Sequence, residues 1–112
     1  MTTSARPDHR ALAAALRRRI LEGPGCSPPE ARQAAARRAA GGSSTQSPCD
    51  DLARQIGQSA AGVTDAQVAG VLAVMGSEKA TFEIIVAAAM GAGLFRWEQA
   101  IKVLEEATDA PA

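Results

Sequence analysis

Tyrosine is absent from this 112-residue chain, and Phe82, Phe95 and Trp97 are its only aromatic residues. None of the three accompanies the arginines of the N-terminal part, which therefore lack the stacking platform that single-stranded nucleic-acid binders use. Histidine occurs once, at position 9, and one imidazole does not make a metal site. The two cysteines, Cys26 and Cys49, are too few and too far apart for a disulfide framework. β-Branched runs are equally scarce. Ile84-Ile85-Val86 is the only one, and its position inside a helical pattern argues against a sheet. Gly23-Pro24-Gly25 lacks the lysine and preceding strand of a phosphate loop. Once glycines and charges are counted, no apolar run reaches the ~18 residues of a membrane span. The first ten residues have no hydrophobic core of a signal peptide. These absences predict a soluble, cytoplasmic domain with no metal, no cofactor, no membrane and no nucleic acid as partner.

What the chain does have is alanine, the best helix former and small enough to let backbones approach. The length fits one domain with a modest core. Net charge is zero but unevenly spread. Met1–Gly41 holds eight arginines against Asp8, Glu22 and Glu30, and the remainder reverses the balance. Such a dipolar chain can pair head to tail, within a subunit or between subunits.

Caps divide the sequence into about six short helices in a compact all-α array. The first runs from about Asp8 to Leu21, with Leu12, Leu16 and Ile20 on one face and arginines around the other. Ser27-Pro28-Pro29-Glu30 has the grammar of an N-cap, a first-turn proline and a capping box. It opens a second helix to about Ala40 that has no large apolar residue and is predicted to pack shallowly. Residues 41–47 read as a flexible loop. Ser47 and Asp50 then start a third helix with Leu52, Ile56, Ser59 and Ala60 inward. Thr64-Asp65-Ala66-Gln67 is a second capping box, ahead of Val68, Val71, Leu72 and Met75. Ser77 caps the next helix, which Gly91-Ala92-Gly93 either breaks or opens to a close neighbour. A last helix, Phe95–Ala107, turns Ile101 and Leu104 to the core. Residues 1–7 and 108–112 are predicted to be disordered around a single domain, 8–107. Because the apolar faces are largely alanine, another subunit is expected to complete the core.

Thr81–Gly93 sets one carboxylate, Glu83, in an apolar run, where it needs a partner, a wet cavity or a raised pKa. The segment from Val63 to Ala107 resembles the carboxymuconolactone decarboxylase and alkylhydroperoxidase D superfamily. The similarity lies in Val63-Thr-Asp-Ala-Gln-Val68, in Gly76 leading to Phe82-Glu83, and in the Ala- and Gly-rich Ala87–Arg96. The resemblance implies an alkylhydroperoxidase D-like helical fold. Its peroxidatic members place a Cys-x-x-Cys pair and a histidine after the glutamate. Here those positions fall near Phe95, Glu98 and Lys102, none of which does thiol chemistry.

The resulting expectation is a non-peroxidatic, homo-oligomeric structural or small-molecule-binding protein. Glu83 is then an ion-pair partner of Arg96, Arg54 or a neighbouring subunit's arginine. The alternative is a lyase or isomerase on a small carboxylate, with Glu83 as acid/base at a raised pKa. Arg96 would anchor the carboxylate and Trp97 form the pocket wall. A third reading is a thiol-dependent antioxidant through Cys49, the more reactive cysteine by its place near a helix N-terminus.

Overall fold

Short side chains at the helix starts fix most of the element boundaries. The computed structural model describes residues 8–109, and these form five α-helices, a 3-10 turn at Ala60–Gly62 and no strand. Helix α1 is His9–Glu22, α2 Pro29–Ala39, α3 Asp50–Ser59, α4 Asp65–Met75 and α5 Glu78–Asp109. Asp8 caps α1 by accepting the N–H groups of Arg10 and Ala11, each at 3.1 Å. The predicted box at α4 forms in full. Thr64 Oγ1 accepts the Gln67 N–H at 3.2 Å, and Gln67 Oε1 accepts the Thr64 N–H at 2.9 Å. Gly76 ends α4 at φ 82°, and Ser77 Oγ accepts the Ala80 N–H at the start of α5.

Five helices stand where about six were predicted, because Gly91 and Gly93 do not break α5. A Cβ on Gly91 would lie 2.6 Å from the Ala36 Cα and would run into that residue's carbonyl oxygen. Gly57 on α3 is pressed against the Ala39 backbone in the same way. Helix α2 is therefore the inner element, with Ala35, Ala36 and Ala39 all buried. This reverses the prediction that a helix without large apolar residues packs shallowly. Methyl groups alone let its backbone come close to both neighbours, where many weak atom contacts accumulate. Leu52 of α3, Ile84 of α5 and Val71 of α4 are the largest fully enclosed side chains, and none of them belongs to α2.

Conversely, α1 has no buried residue, and Leu12 and Leu16 are 58% and 45% exposed. The dipolar charge is used within the subunit, where Arg10 pairs with Glu105 and Arg17 with Glu98. Exposed pairs of this kind orient α1 more than they stabilise it. Several other predicted inward positions face out, namely Ser59, Ala60, Leu72 and Leu104, the last at 61%. Thr108 and Asp109 continue α5 rather than starting a tail, while residues 1–7 and 110–112 lie outside the described region. The 41–47 connection, predicted to be flexible, is tied to Asp50. That carboxylate accepts from the Thr45 N–H at 2.9 Å, from the Ser44 and Thr45 hydroxyls, and from Arg38 at 3.1 Å.

Although no span was predicted, Glu78–Thr108 is long and apolar enough to cross a membrane by length and composition. Its inner face, including Ile84, Ala87 and Ala88, is nonetheless fully covered by the other helices.

If backbone approach sets the core, Gly91→Ala will destabilise the fold by about 3 kcal/mol through overpacking. Gly70→Ala, at a helical glycine whose Cβ would meet nothing within 4 Å, will stabilise it by up to ~1 kcal/mol. Urea denaturation of the two variants gives both signs, and equal effects would contradict this packing.

Candidate functional site

The connection between α1 and α2, residues 23–28, contains three glycines or prolines before Cys26 and cannot continue a helix. Its backbone polar groups are satisfied instead by two charged side chains from different helices. Glu83 of α5, half-buried, accepts the Cys26 N–H at 2.9 Å with one carboxylate oxygen. The other oxygen accepts the Ser27 N–H at 2.7 Å and the Ser27 hydroxyl at 2.6 Å. A Cβ on Gly25 would stand 2.8 Å from that carboxylate, so a side chain there would displace the carboxylate from its donors. From the opposite side Arg32 of α2 donates to the Ile20 carbonyl at 2.6 Å and the Gly23 carbonyl at 2.8 Å. It thereby satisfies carbonyls that the end of α1 would otherwise leave open. Arg32 is buried, and among the described residues its Nε has no hydrogen-bond partner.

The predicted Ser27 N-cap and Ser27–Glu30 box do not form. Pro28 occupies the cap position, and the Ser27 hydroxyl is turned to Glu83. Glu83 likewise has neither Arg96 nor Arg54 as its partner. Three donated hydrogen bonds, led by that of the Ser27 hydroxyl, hold its carboxyl at about 2, with the nearby Arg32 cation adding to them and burial opposing. A raised pKa would have required burial without donors. Here the donors outweigh burial, and the group is fully ionised near neutrality. So low a pKa makes it a weak base.

The other candidate residues stand apart from Glu83 and from one another. Arg96 donates to the Gly57 carbonyl and lines a cleft of about 260 Å³ between α2, α3 and α5, together with Arg38, Arg54 and Phe95. Trp97 faces a different cleft, about 400 Å³, between α1 and the second half of α5. Phe95, rather than Trp97, is thus the aromatic wall beside Arg96. Cys49 is buried, and burial pushes its thiol pKa up, which keeps it protonated and unreactive. Cys26 is the exposed cysteine. Among the described residues no three His, Cys, Asp or Glu side chains cluster as metal ligands would.

A groove of about 310 Å³ beside the Glu83 clasp is lined by Leu16, Ile20, Pro24, Phe82 and Val86, with Arg19, Arg32 and Glu83 at its polar edge. Sequence reasoning missed Arg32 and Gly25. Arg32 shares a helical face with Ala35, Ala36 and Ala39, a spacing that could have marked it as an inward arginine.

Glu83→Gln replaces a charged acceptor with an amide whose NH2 group would face a loop donor. It is expected to lower stability by about 3 kcal/mol at neutral pH. Since the folded carboxyl titrates below its ordinary value of 4.5, its contribution is complete above about pH 4.5 and is lost as pH falls toward 2. Asp50 and Asp51 are also held low, so the readout is the difference between wild type and variant. That difference shrinks between pH 4.5 and 2 in chemical denaturation, and a pH-independent difference would contradict the assignment.

No family model, curated protein or solved structure matches the chain.

Proposed function

We propose that this chain is one subunit of a non-peroxidatic homo-oligomer, a helical structural or small-molecule-binding protein similar to the carboxymuconolactone decarboxylase superfamily. The observation that carries the reading is the outer layer of α1 and α5. Leu12, Leu16, Phe82 and Leu104 are 45–64% exposed there, while the interior is filled mostly by alanine. Placing the largest apolar side chains outside and methyl groups inside is costly for an isolated chain and favourable for one that buries that layer on association.

Arg54 and Arg38 line the cleft around Arg96 with Phe95 beside them, but Asp51, Asp50 and the Gly57 carbonyl already engage the three guanidiniums, so a small carboxylate would bind there by displacing those partners. Guanidinium forks recognise carboxylates, and the ring supplies an apolar wall. Acid/base turnover by Glu83 and redox turnover by Cys49 draw no support from their surroundings, the first being held ionised and the second buried.

Sedimentation velocity at micromolar concentration tests the reading. A species of at least twice the 11.5 kDa subunit mass is expected, and a clean monomer would overturn it.

A further inference from the structure

Seen down its axis, α5 carries its core residues on one side and a second apolar stripe on the other. At 100° per residue, Phe82, Val86, Ala89, Gly93, Trp97, Ala100 and Leu104 fall within an arc of about 80°. None of the seven is ionisable, and Phe82, Ala89, Gly93, Ala100 and Leu104 are exposed. Arg96, at the edge of the arc, is already engaged with the Gly57 carbonyl.

We propose that α5 pairs with α5 of a second copy of this chain, antiparallel about a two-fold axis at Gly93, with Phe82 of each subunit against the partner's Leu104. This rests on the oligomer reading above and specifies its geometry. A two-fold interface must be complementary to itself. Centred on Gly93, the stripe meets that demand. Phe82 falls opposite the partner's Leu104, Val86 opposite the partner's Ala100, Ala89 opposite the partner's Trp97, and Gly93 opposite its own copy. Large residues meet small ones in the middle and large ones at the ends.

Gly93 has no packing role inside the subunit. A Cβ there would meet nothing within 4 Å, in contrast to Gly91, only two residues away and pressed on α2. A glycine in a helix interior lowers helix stability relative to alanine. Its position at the centre of the arc gives the missing side chain a purpose, as the point where two helices cross most closely.

The surface is also of the order that a specific pair needs. From Phe82 to Leu104 the stripe is about 33 Å long, and α1 lies beside it with Leu12 and Leu16 exposed. Two helices of that length and of about 21 Å, each about 10 Å wide, present roughly 500 Å² in projection. Surface corrugation raises this toward the roughly 600–1,000 Å² per partner of specific interfaces. Antiparallel pairing also sets each helix dipole against its opposite.

Cross-linking in a Cys26→Ser background tests the pairing, since Cys49 is buried. Chains carrying Phe82→Cys, mixed with chains carrying Leu104→Cys, are expected to form a disulfide at least tenfold faster than either variant alone. Phe82→Cys linking preferentially to itself would indicate a parallel pair and overturn the proposal. Gly93→Leu is expected to weaken dimerisation at least tenfold in sedimentation equilibrium without lowering the melting temperature of the dilute subunit. An unchanged dissociation constant would overturn it. If the chain is oligomeric but both tests fail, the oligomer reading stands and this pairing falls. A monomer that instead floats with phosphatidylcholine–phosphatidylglycerol vesicles would make a lipid surface the occupant of the stripe.

Discussion

The contact on which the rest of the structure depends is the approach of the α2 backbone to α5 at Gly91. Because no side chain separates them, Ala36 sits directly on the glycine, and the Ala39–Gly57 contact repeats the arrangement on α3. Cores of this type gain stability from close-packed atoms more than from the apolar area of each residue. They also leave little room for bulk. The largest enclosed side chains lie on α3, α4 and α5 rather than on α2, and the chain's phenylalanines, 64% and 44% exposed, lie outside. An interior made of small residues and an exterior carrying large apolar ones are thus two consequences of one packing choice.

With α2 so close to α5, the loop that leads into α2 must pass the end of α5, where Glu83 and Arg32 meet it from two sides. The carboxylate takes the loop's N–H groups and the guanidinium takes the carbonyls at the end of α1. Neither charge needs the other as a direct partner, since each is compensated by backbone dipoles of opposite sense. The clasp fixes where α1 leaves the bundle and so sets the line along which it runs beside α5. Leu16 reaches the groove next to Phe82 and Val86 as a result. In this way a buried polar arrangement determines the shape of an outer apolar face.

The helices themselves were legible, because side-chain caps are local signals. Thr64-Gln67 and Ser77 act as read, and Asp8, read as the first residue of α1, is its cap. The Ser27–Glu30 signal failed for a tertiary reason, since a carboxylate 56 residues away outcompetes the helix start for the same hydroxyl. Direction was harder to read than existence. Leucines on α1 promised burial, and alanines on α2 promised a shallow helix, yet distance of approach reversed both. Glu83 was singled out correctly as a carboxylate requiring compensation, but its donors are two backbone N–H groups and a serine hydroxyl 56 residues away, not the arginines that its charge suggested. Arg96 and Trp97, adjacent in sequence, diverge into separate clefts because neighbours on a helix point about 100° apart.

The central claim is that the interior holds by backbone approach while the α1/α5 layer awaits a second copy. Native-state hydrogen exchange, followed across protein concentration, addresses it directly. Amides of α2 are expected to exchange only through global unfolding of the subunit, whereas those of α1 gain protection as concentration rises and the layer is covered. Protection of α1 that equals that of α2 in dilute solution and does not change with concentration would contradict the account.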